Sequence, residues 1–443
     1  MNIWRQLFIS PRCYLALGVV ILTFLLGMFS TTVYVIALVL LAGWVAALMV
    51  DGFWLFGQGG VLEASRTLRQ RLSNGDPNPV QLRVESGYVR PVHIRLIDEL
   101  PPQFQRRDLD WQFRLEPGSG HEVTYTVRPV ERGAYQFGDI HCFVRTSVGL
   151  LKRRHTIQAA QAITVYPSYL QLRHYGFLAF DKRLQDAGLK KIRRVGHTME
   201  FEQIREYVQG DDTRVLNWTA PARVARPMVN QFQEERAQPV YCVLDKGRLM
   251  EMPFDEMTLL DHAINTALVM SYIAIHKQDK AGMVTFAERI HDVVRAGRRS
   301  HQMQRILEVL YRQETDFLEA DFERLAAGLR RHVRQRSLLL LMTNFESVVG
   351  LRRQLPYLQV LARQHVVVVI FFQNTALRQL TDRRARSLRE IYHQTLAERA
   401  QYEKQLMVRL LRSHGMHAVL TDPAELTPNT INAYLALKAR GII

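Results

Sequence analysis

The sequence predicts an α/β protein in which a hairpin of two apolar helices precedes a small antiparallel β-sandwich and then a doubly wound parallel sheet. Three observations predict it. The stretch from Cys13 to Val50 carries no charged side chain, Leu62 to Pro167 shows short alternating runs between turn clusters, and beyond Gln238 apolar β-branched runs alternate with helical ones. At 443 residues the chain can hold two or three domains, each with its own core. The expected divisions are 1–60 for the hairpin and an interfacial linker, 61–170 for the sandwich, 171–237 for a distinctive connecting segment and 238–443 for the α/β domain.

The hairpin comes first. Spans from Cys13 to about Phe29 and from about Val33 to Val50, turning at Ser30-Thr31-Thr32, each reach the roughly 17 residues that cross a bilayer. A charge at the bilayer centre costs a few kcal/mol, so an uncharged run of this length is read as membrane-spanning. The second apolar run follows the first at once, with no small-residue cleavage site, which argues against a removed signal. Arg5 and Arg12 precede the hairpin, Arg66, Arg69 and Arg71 follow it, and the turn has no Lys or Arg. The positive-inside rule then leaves both ends, and everything after Val50, in the cytoplasm. Asp51 to Gly60, with Phe53, Trp54 and Phe56, is expected at the interface.

Charge and cysteine content narrow the setting. The 58 basic and 42 acidic side chains leave a formal charge of +16, which attracts anionic surfaces, whether nucleic acid or a membrane leaflet. Cys13, Cys142 and Cys242 form no CxxC site and no disulfide framework, as suits a reducing compartment.

The sandwich is read from runs such as Val80 to Val84 and Val123 to Val127, with turns at Asn74-Gly75-Asp76-Pro77 and Pro117-Gly118-Ser119-Gly120. The segment Arg128 to Gly138 reads as a tight hairpin with Gly133 and Gly138 in unusual dihedrals. In the α/β part the expected strands are Pro239 to Leu244, Ala281 to Phe286, Ser337 to Met342, His365 to Phe372 and His417 to Leu420. Helices are expected at Met257 to Lys277, His301 to Tyr311, Asp321 to Arg334, Val348 to Ala362, about Ala376 to Ser413, and Asn429 to Lys438. The binding edge of such a sheet lies at the carboxyl ends of its strands, where Asp245 and Asn344 fall. Arg378, Arg383, Arg384, Arg386 and Arg389 crowd the start of the long helix. They read as a solvated face first, a surface for an acidic partner or lipid headgroup second, and a nucleic-acid site last, because no aromatics interleave them.

Between sandwich and sheet runs Glu200-Phe-Glu-Gln-Ile-Arg-Glu-Tyr-Val-Gln-Gly-Asp-Asp-Thr-Arg-Val-Leu-Asn-Trp-Thr-Ala-Pro-Ala-Arg223, continuing to Asn230-Gln-Phe-Gln-Glu-Glu-Arg236. This block resembles the signature of the "domain of unknown function 58" (DUF58) family. Arg132-Gly133-Ala-Tyr135 with Gly138, and Val148-Gly149-Leu150 ahead of Val165-Tyr166-Pro167, before it, and Leu420 to Leu426 and Ile431 to Arg440 after it, are similar to the family's flanking patterns. The resemblance implies a von Willebrand factor A-like domain in a multi-pass protein of the bacterial inner membrane. It also implies a MoxR-type AAA ATPase, often alongside other von Willebrand factor A proteins, as partner.

In physical terms the block reads as a turn locked by charge. Gly210 permits a reversal, Asp211 and Asp212 accept from backbone N–H groups, Arg205, Arg214 and Arg223 clamp them, and Tyr207, Asn217 and Trp218 complete the signature. An enzyme using Glu200, Asp211 and Asp212 is the competing reading, but no activated nucleophile accompanies these carboxylates, and no phosphate loop, GxSxG elbow or HExxH pair occurs. Von Willebrand factor A domains often end their first strand in DxSxS, which holds a divalent cation through oxygens. Here the matching residues are Asp245-Lys246-Gly247-Arg248-Leu249, and the later acidic position is Asn344. Only Asp245 survives as a ligand, beside two cations, so the expectation is a degenerate metal site, no cofactor and no catalytic residues.

Overall fold

The computed structural model describes residues 6–57, 61–106, 108–172, 200–206, 228–233, 237–299, 301–315, 317–381 and 387–442. The chain divides into two compact units, Met1–Tyr166 and Pro167–Ile443.

In the first unit a short strand β1 (Leu7–Ile9) leads into helices α1 (Pro11–Gly27) and α2 (Thr31–Phe56). Ten strands follow: β2 (Leu62–Thr67), β3 (Arg71–Ser73), β4 (Asn78–Ser86), β5 (Val92–Asp98), β6 (Asp110–Leu115), β7 (Gly120–Val127), β8 (Gly133–Phe137), β9 (Ile140–Arg145), β10 (Leu151–Ile157) and β11 (Gln161–Tyr166). They form three sheets, ordered β1-β10-β9-β5-β6, β2-β4-β7 and β3-β11-β8. One core joins the sheets, with Leu82 of β4, Ile94 and Leu96 of β5, Phe137 of β8, Cys142 of β9 and Val165 of β11 all buried in it. Strict alternation along β4, buried at Asn78, Val80, Leu82, Val84 and Ser86, is the cause: a period of two turns every second side chain inward.

Three features depart from the expected sandwich. The residues before the apolar helices join it as β1, with Leu7 opposite Arg153 of β10. Strands β3 and β11 pair in parallel, Leu72 opposite Val165. The 128–138 segment is not a hairpin, because β7 and β8 belong to different sheets. Gly133 does adopt a left-handed φ of 138°, whereas Gly138 has no positive φ; its lack of a side chain leaves room for the Glu99 carboxylate. Beneath this crossing Arg66 of β2 is buried, paired with Asp98 and donating to the carbonyls of Gly138 and Ala159, both at 3.0 Å.

Helix α2, at 26 residues, is long and apolar enough to cross a membrane; α1 is apolar and has 17. It does not stop at Val50. The helix continues through Asp51, which is buried against the β-rich part. The Asp51 carboxylate accepts from the N–H groups of Leu150 (2.9 Å) and Leu151 (2.8 Å) and from the Thr146 hydroxyl. A carboxylate at the end of an apolar helix thus replaces water with three protein donors.

In the second unit β12 (Glu200–Glu206) and β13 (Met228–Gln233) pair antiparallel. Then come β14 (Pro239–Asp245), α3 (Leu259–His276), β15 (Lys280–Phe286), β16 (Ile290–Gly297), α4 (Gln302–Tyr311), α5 (Phe322–His332), β17 (Leu338–Met342), α6 (Val348–Gln364), β18 (Val366–Phe372), α7 (Thr375–Thr381), α8 (Leu388–Ser413), β19 (His417–Thr421) and α9 (Leu426–Ala439). The sheet order is β16-β15-β14-β17-β18-β19, parallel except for the antiparallel edge β16. Central strands buried on both faces must be apolar throughout, as Leu338–Met342 and Val366–Phe372 are. One core packs the sheet against α3, α4 and α9, the other against α5, α6 and α8.

The five expected strands and the helices between them therefore stand close to their predicted bounds, with two differences. Edge strand β16 went unpredicted because its ladder shifts register between Ala281 and Met283 and again between Thr285 and Phe286, breaking the period-two signal. The long helix is described as two, α7 and α8. Ser387 caps α8, its hydroxyl accepting from the N–H of Glu390 at 3.3 Å, in a Ser-Leu-Arg-Glu run that matches a capping box.

Candidate functional site

The chain leaves β14 toward one face of the sheet and leaves β17 toward the other. This reversal opens a crevice at their carboxyl ends, the place where open α/β sheets bind their ligands. Asp245 closes β14 and Thr343-Asn344 follow β17. Two adjoining clefts, of 270 and 250 Å3, share Asn344 and Glu346.

Asp245 is 2% exposed, and both carboxylate oxygens are engaged. One accepts from the Gly247 N–H at 2.7 Å, the other from the Thr343 hydroxyl at 2.6 Å. Burial pushes its carboxyl up to about 6, against the opposing effect of these two donors. The Asn344 side-chain oxygen accepts from Lys404 Nζ at 2.9 Å, and the same ammonium donates to the Phe345 carbonyl at 2.5 Å. Lys404 comes from the middle of α8, lies 5.7 Å from the Phe371 ring centroid, and is pushed by burial down to about 8.

These residues do not fit a divalent cation. Gly247 and Leu249 offer no side-chain oxygen, the Asn344 oxygen is taken by an ammonium, and the Asp245 oxygens already face an N–H and an O–H donor. The space is closed as well. A Cβ at position 247 would lie 2.9 Å from Asp245 Oδ1 and 3.2 Å from both the Leu318 carbonyl oxygen and the Ala320 nitrogen. The 318–320 backbone, fixed by the Arg248 N–H bond to Leu318 O at 2.9 Å, stands where a serine side chain would go. Among the described residues, no group of three or more His, Cys, Asp or Glu could hold a metal.

The structure thus brings Asp245 and Asn344 together at the crevice, as predicted from their strand ends, and adds Thr343 and Lys404. Lys404 had a legible signal. Ala397, Lys404 and Leu411 stand seven apart, so the lysine lies on the buried stripe of α8. In the signature block, Glu200 stands opposite Gln233 and Arg205 opposite Val229 in the β12–β13 ladder. Tyr207, Gly210, Asp211, Asp212, Arg214, Asn217, Trp218 and Arg223 lie outside the described residues, so the proposed charge clamp does too. Of the arginine cluster, Arg378 is paired with Asp422 at 3.1 Å and Arg389 is exposed; Arg383, Arg384 and Arg386 lie outside the described residues.

Sheet and crevice define an open-sheet α/β protein with its polar groups gathered at a strand-order reversal. Residues 203–409, from β12 into α8, match the family model described as Protein of unknown function DUF58, which supports the resemblance carried by the central block. No curated protein matches the chain. Among solved structures, the CARDB domain of a Pyrococcus furiosus protein is similar at 12% identity over 24% of this chain and 93% of that one, with a TM-score of 0.17. Proximal thread matrix protein 1 from the mussel byssus is similar at 10% identity over 46% of this chain and 47% of that one, with a TM-score of 0.29. Likenesses this partial carry no functional argument.

Proposed function

We propose that this chain is a membrane-anchored, non-catalytic interaction scaffold of the DUF58 family. The α1–α2 hairpin holds it in the bacterial inner membrane with the bulk of the chain cytoplasmic, and its sheet is a von Willebrand factor A-like domain that docks a MoxR-type AAA ATPase, alongside other von Willebrand factor A proteins. The membrane part is supported by the uncharged Cys13 to Val50 stretch and the apolar α2. The domain assignment is supported by the strand order, with its antiparallel edge, and by the family match.

One observation carries the reading of the crevice. Its buried polar groups are satisfied by one another: Asp245 by Gly247 and Thr343, and Asn344 and Phe345 by Lys404. Groups saturated in this way define a fixed shape and charge, as docking needs. Around them the rim is mixed: Arg248 is paired with Glu319 at 3.1 Å, Glu346 adds a carboxylate, and exposed Val349 beside Arg353 offers an apolar and a basic contact to a partner.

The test uses the full chain in mild detergent and a purified MoxR-type ATPase from the same cell. Binding is expected for the unaltered protein and a loss of tenfold or so for Val349→Asp with Arg353→Glu, in line with rim and anchor contacts of about 1.4 kcal/mol together. No binding by the unaltered protein would refute the proposal, and so would a turnover assigned to the chain itself that survives removal of the ATPase.

A further inference from the structure

The first unit holds a larger cavity that the proposed docking function does not use. It measures 710 Å3 and lies over the outer face of the five-stranded sheet, where that sheet meets the start of α1. Its walls carry Arg12 of α1, His93 and Arg95 of β5, Arg114 of β6, Arg145 of β9 and Lys152 of β10. The registers bring these side chains together: His93 stands opposite both Arg145 and Arg114, and Lys152 opposite Phe8. Asp110 holds Arg95, its Oδ2 2.8 Å from a guanidinium nitrogen, and Glu116 holds Arg114 at 3.1 Å. Among the described residues Arg12, Arg145 and Lys152 have no carboxylate partner. Burial, and after it the charges of Arg145, Arg114 and Arg12, push the His93 imidazole below its usual range.

Two further features say what such a groove would hold. Its other wall is apolar and runs onto the membrane helix: Phe8 and Ile9 are exposed on the rim, and Tyr14 and Leu15 continue the exposed apolar surface along α1. Its position against the hairpin is also fixed. Asp51 of α2 binds Thr146, Leu150 and Leu151, and the Ser10 N–H donates to the Leu150 carbonyl at 2.9 Å. Arg145 and Lys152 flank that anchored 146–151 turn directly, so both cations are held at the mouth of the hairpin.

We infer that this groove binds the phosphate of an anionic phospholipid headgroup, with Arg12, Arg145 and Lys152 as its cationic ligands and Phe8 and Ile9 beside the first carbons of the acyl chains. The inference rests on the membrane reading of the hairpin given above. A phosphodiester between three unpaired cations gains charge-assisted hydrogen bonds, while the apolar rim favours a source in the bilayer over one in solution.

The test uses the full chain, purified in neutral detergent, delipidated, and titrated with short-chain phosphatidylglycerol, short-chain phosphatidylcholine or inorganic phosphate, with retained ligand counted by native mass spectrometry. Phosphatidylglycerol is expected to bind in preference to phosphatidylcholine. The double variant Arg145→Gln, Lys152→Gln is expected to retain it roughly tenfold or more less well, at about 1 kcal/mol for each cation near an anionic surface. The charge-matched control Arg69→Gln, Arg83→Gln, exposed elsewhere on the unit, is expected to bind as the parent does. Circular dichroism of both doubles checks that they fold. Equal retention of the two lipids, or equal loss in the control, overturns the groove site. Inorganic phosphate binding as tightly as the lipid overturns the membrane source. Carbonate extraction of cell membranes separates the two levels: a chain that stays in the pellet yet shows no lipid preference refutes the groove alone, whereas a chain released to the supernatant refutes the hairpin reading and the groove with it.

Discussion

Replacing Asp245 by Asn tests whether the crevice carboxylate braces the fold or serves chemistry. Burial lifts its carboxyl from 3.8 to about 6. Between those values the folded chain holds a proton that the unfolded chain lacks, so stability falls as pH rises through the window and levels off above it. At about 1.4 kcal/mol for each tenfold change in proton affinity, the ionised group costs the fold roughly 3 kcal/mol at pH 7.5. Asn keeps the shape without the charge. Its oxygen can still accept from the Gly247 N–H, and its amide can donate to the Thr343 hydroxyl oxygen, so what is lost is the ionic share of two hydrogen bonds, about 1 kcal/mol each. Asp245→Asn is therefore expected to match the parent within about 1 kcal/mol at pH 7.5, or exceed it slightly, and to lose the decline between pH 4.5 and 6. Pulse proteolysis across a urea series, read on fragments from residues 238–443, gives both quantities. A loss of more than about 3 kcal/mol at pH 7.5 with an unchanged pH slope would refute the reasoning. So would a rise in the parent's midpoint with Mg2+, Ca2+ or Mn2+ that Asp245→Asn abolishes, because that is the behaviour of a metal ligand.

Two other perturbations probe the same physics elsewhere. For Lys404, burial lowers the ammonium from 10.5 to about 8, so between those values the unfolded chain holds the extra proton and stability rises with pH; Lys404→Met is expected to flatten that rise, to change stability at pH 7.5 by no more than about 2 kcal/mol, and to weaken ATPase binding, all measurable in the same urea series and binding assay. In the first unit, Asp98→Ala leaves the Arg66 guanidinium buried without its partner and removes the acceptor of the Tyr125 hydroxyl, so a loss of about 3 to 5 kcal/mol is expected in thermal unfolding, while the double change Arg66→Met, Asp98→Leu should recover most of it.

How much of this was legible follows from which forces leave a local trace. Period and composition do, and they placed the five parallel strands, because a strand buried on both faces, such as Val366–Phe372, admits only apolar residues. The carboxyl-edge position of Asp245 and Asn344 followed from the strand order alone. Pairings made far along the chain leave little trace. Nothing in Leu7-Phe8-Ile9 announces that it will bind Leu151-Lys152-Arg153, and the parallel contact of Arg71–Ser73 with β11 spans about ninety residues of loop closure. Arg66 is the sharpest case. It stands among the charges that follow the hairpin, and nothing local shows that the folded chain buries it against Asp98. Asp51 is similar: nothing near it in sequence shows that the distant Thr146 to Leu151 segment buries it.

The crevice and the hairpin then use charge by one rule. At each place an ionisable group has been taken out of water and held by fixed protein donors or acceptors: Asp51 by Thr146, Leu150 and Leu151, Asp98 by Arg66 and Tyr125, Asp245 by Gly247 and Thr343, Lys404 by Asn344 and Phe345. Such groups are costly to bury and stay only where the partner geometry is held, so each fixes the register between elements that hydrophobic packing alone would let slide. Lys404 does this between α8 and the end of β17, and that makes the crevice responsive. Lys404 spends two of its three N–H donors on Asn344 and Phe345, so under the proposed docking a partner's acidic side chain takes the third without unmaking that brace.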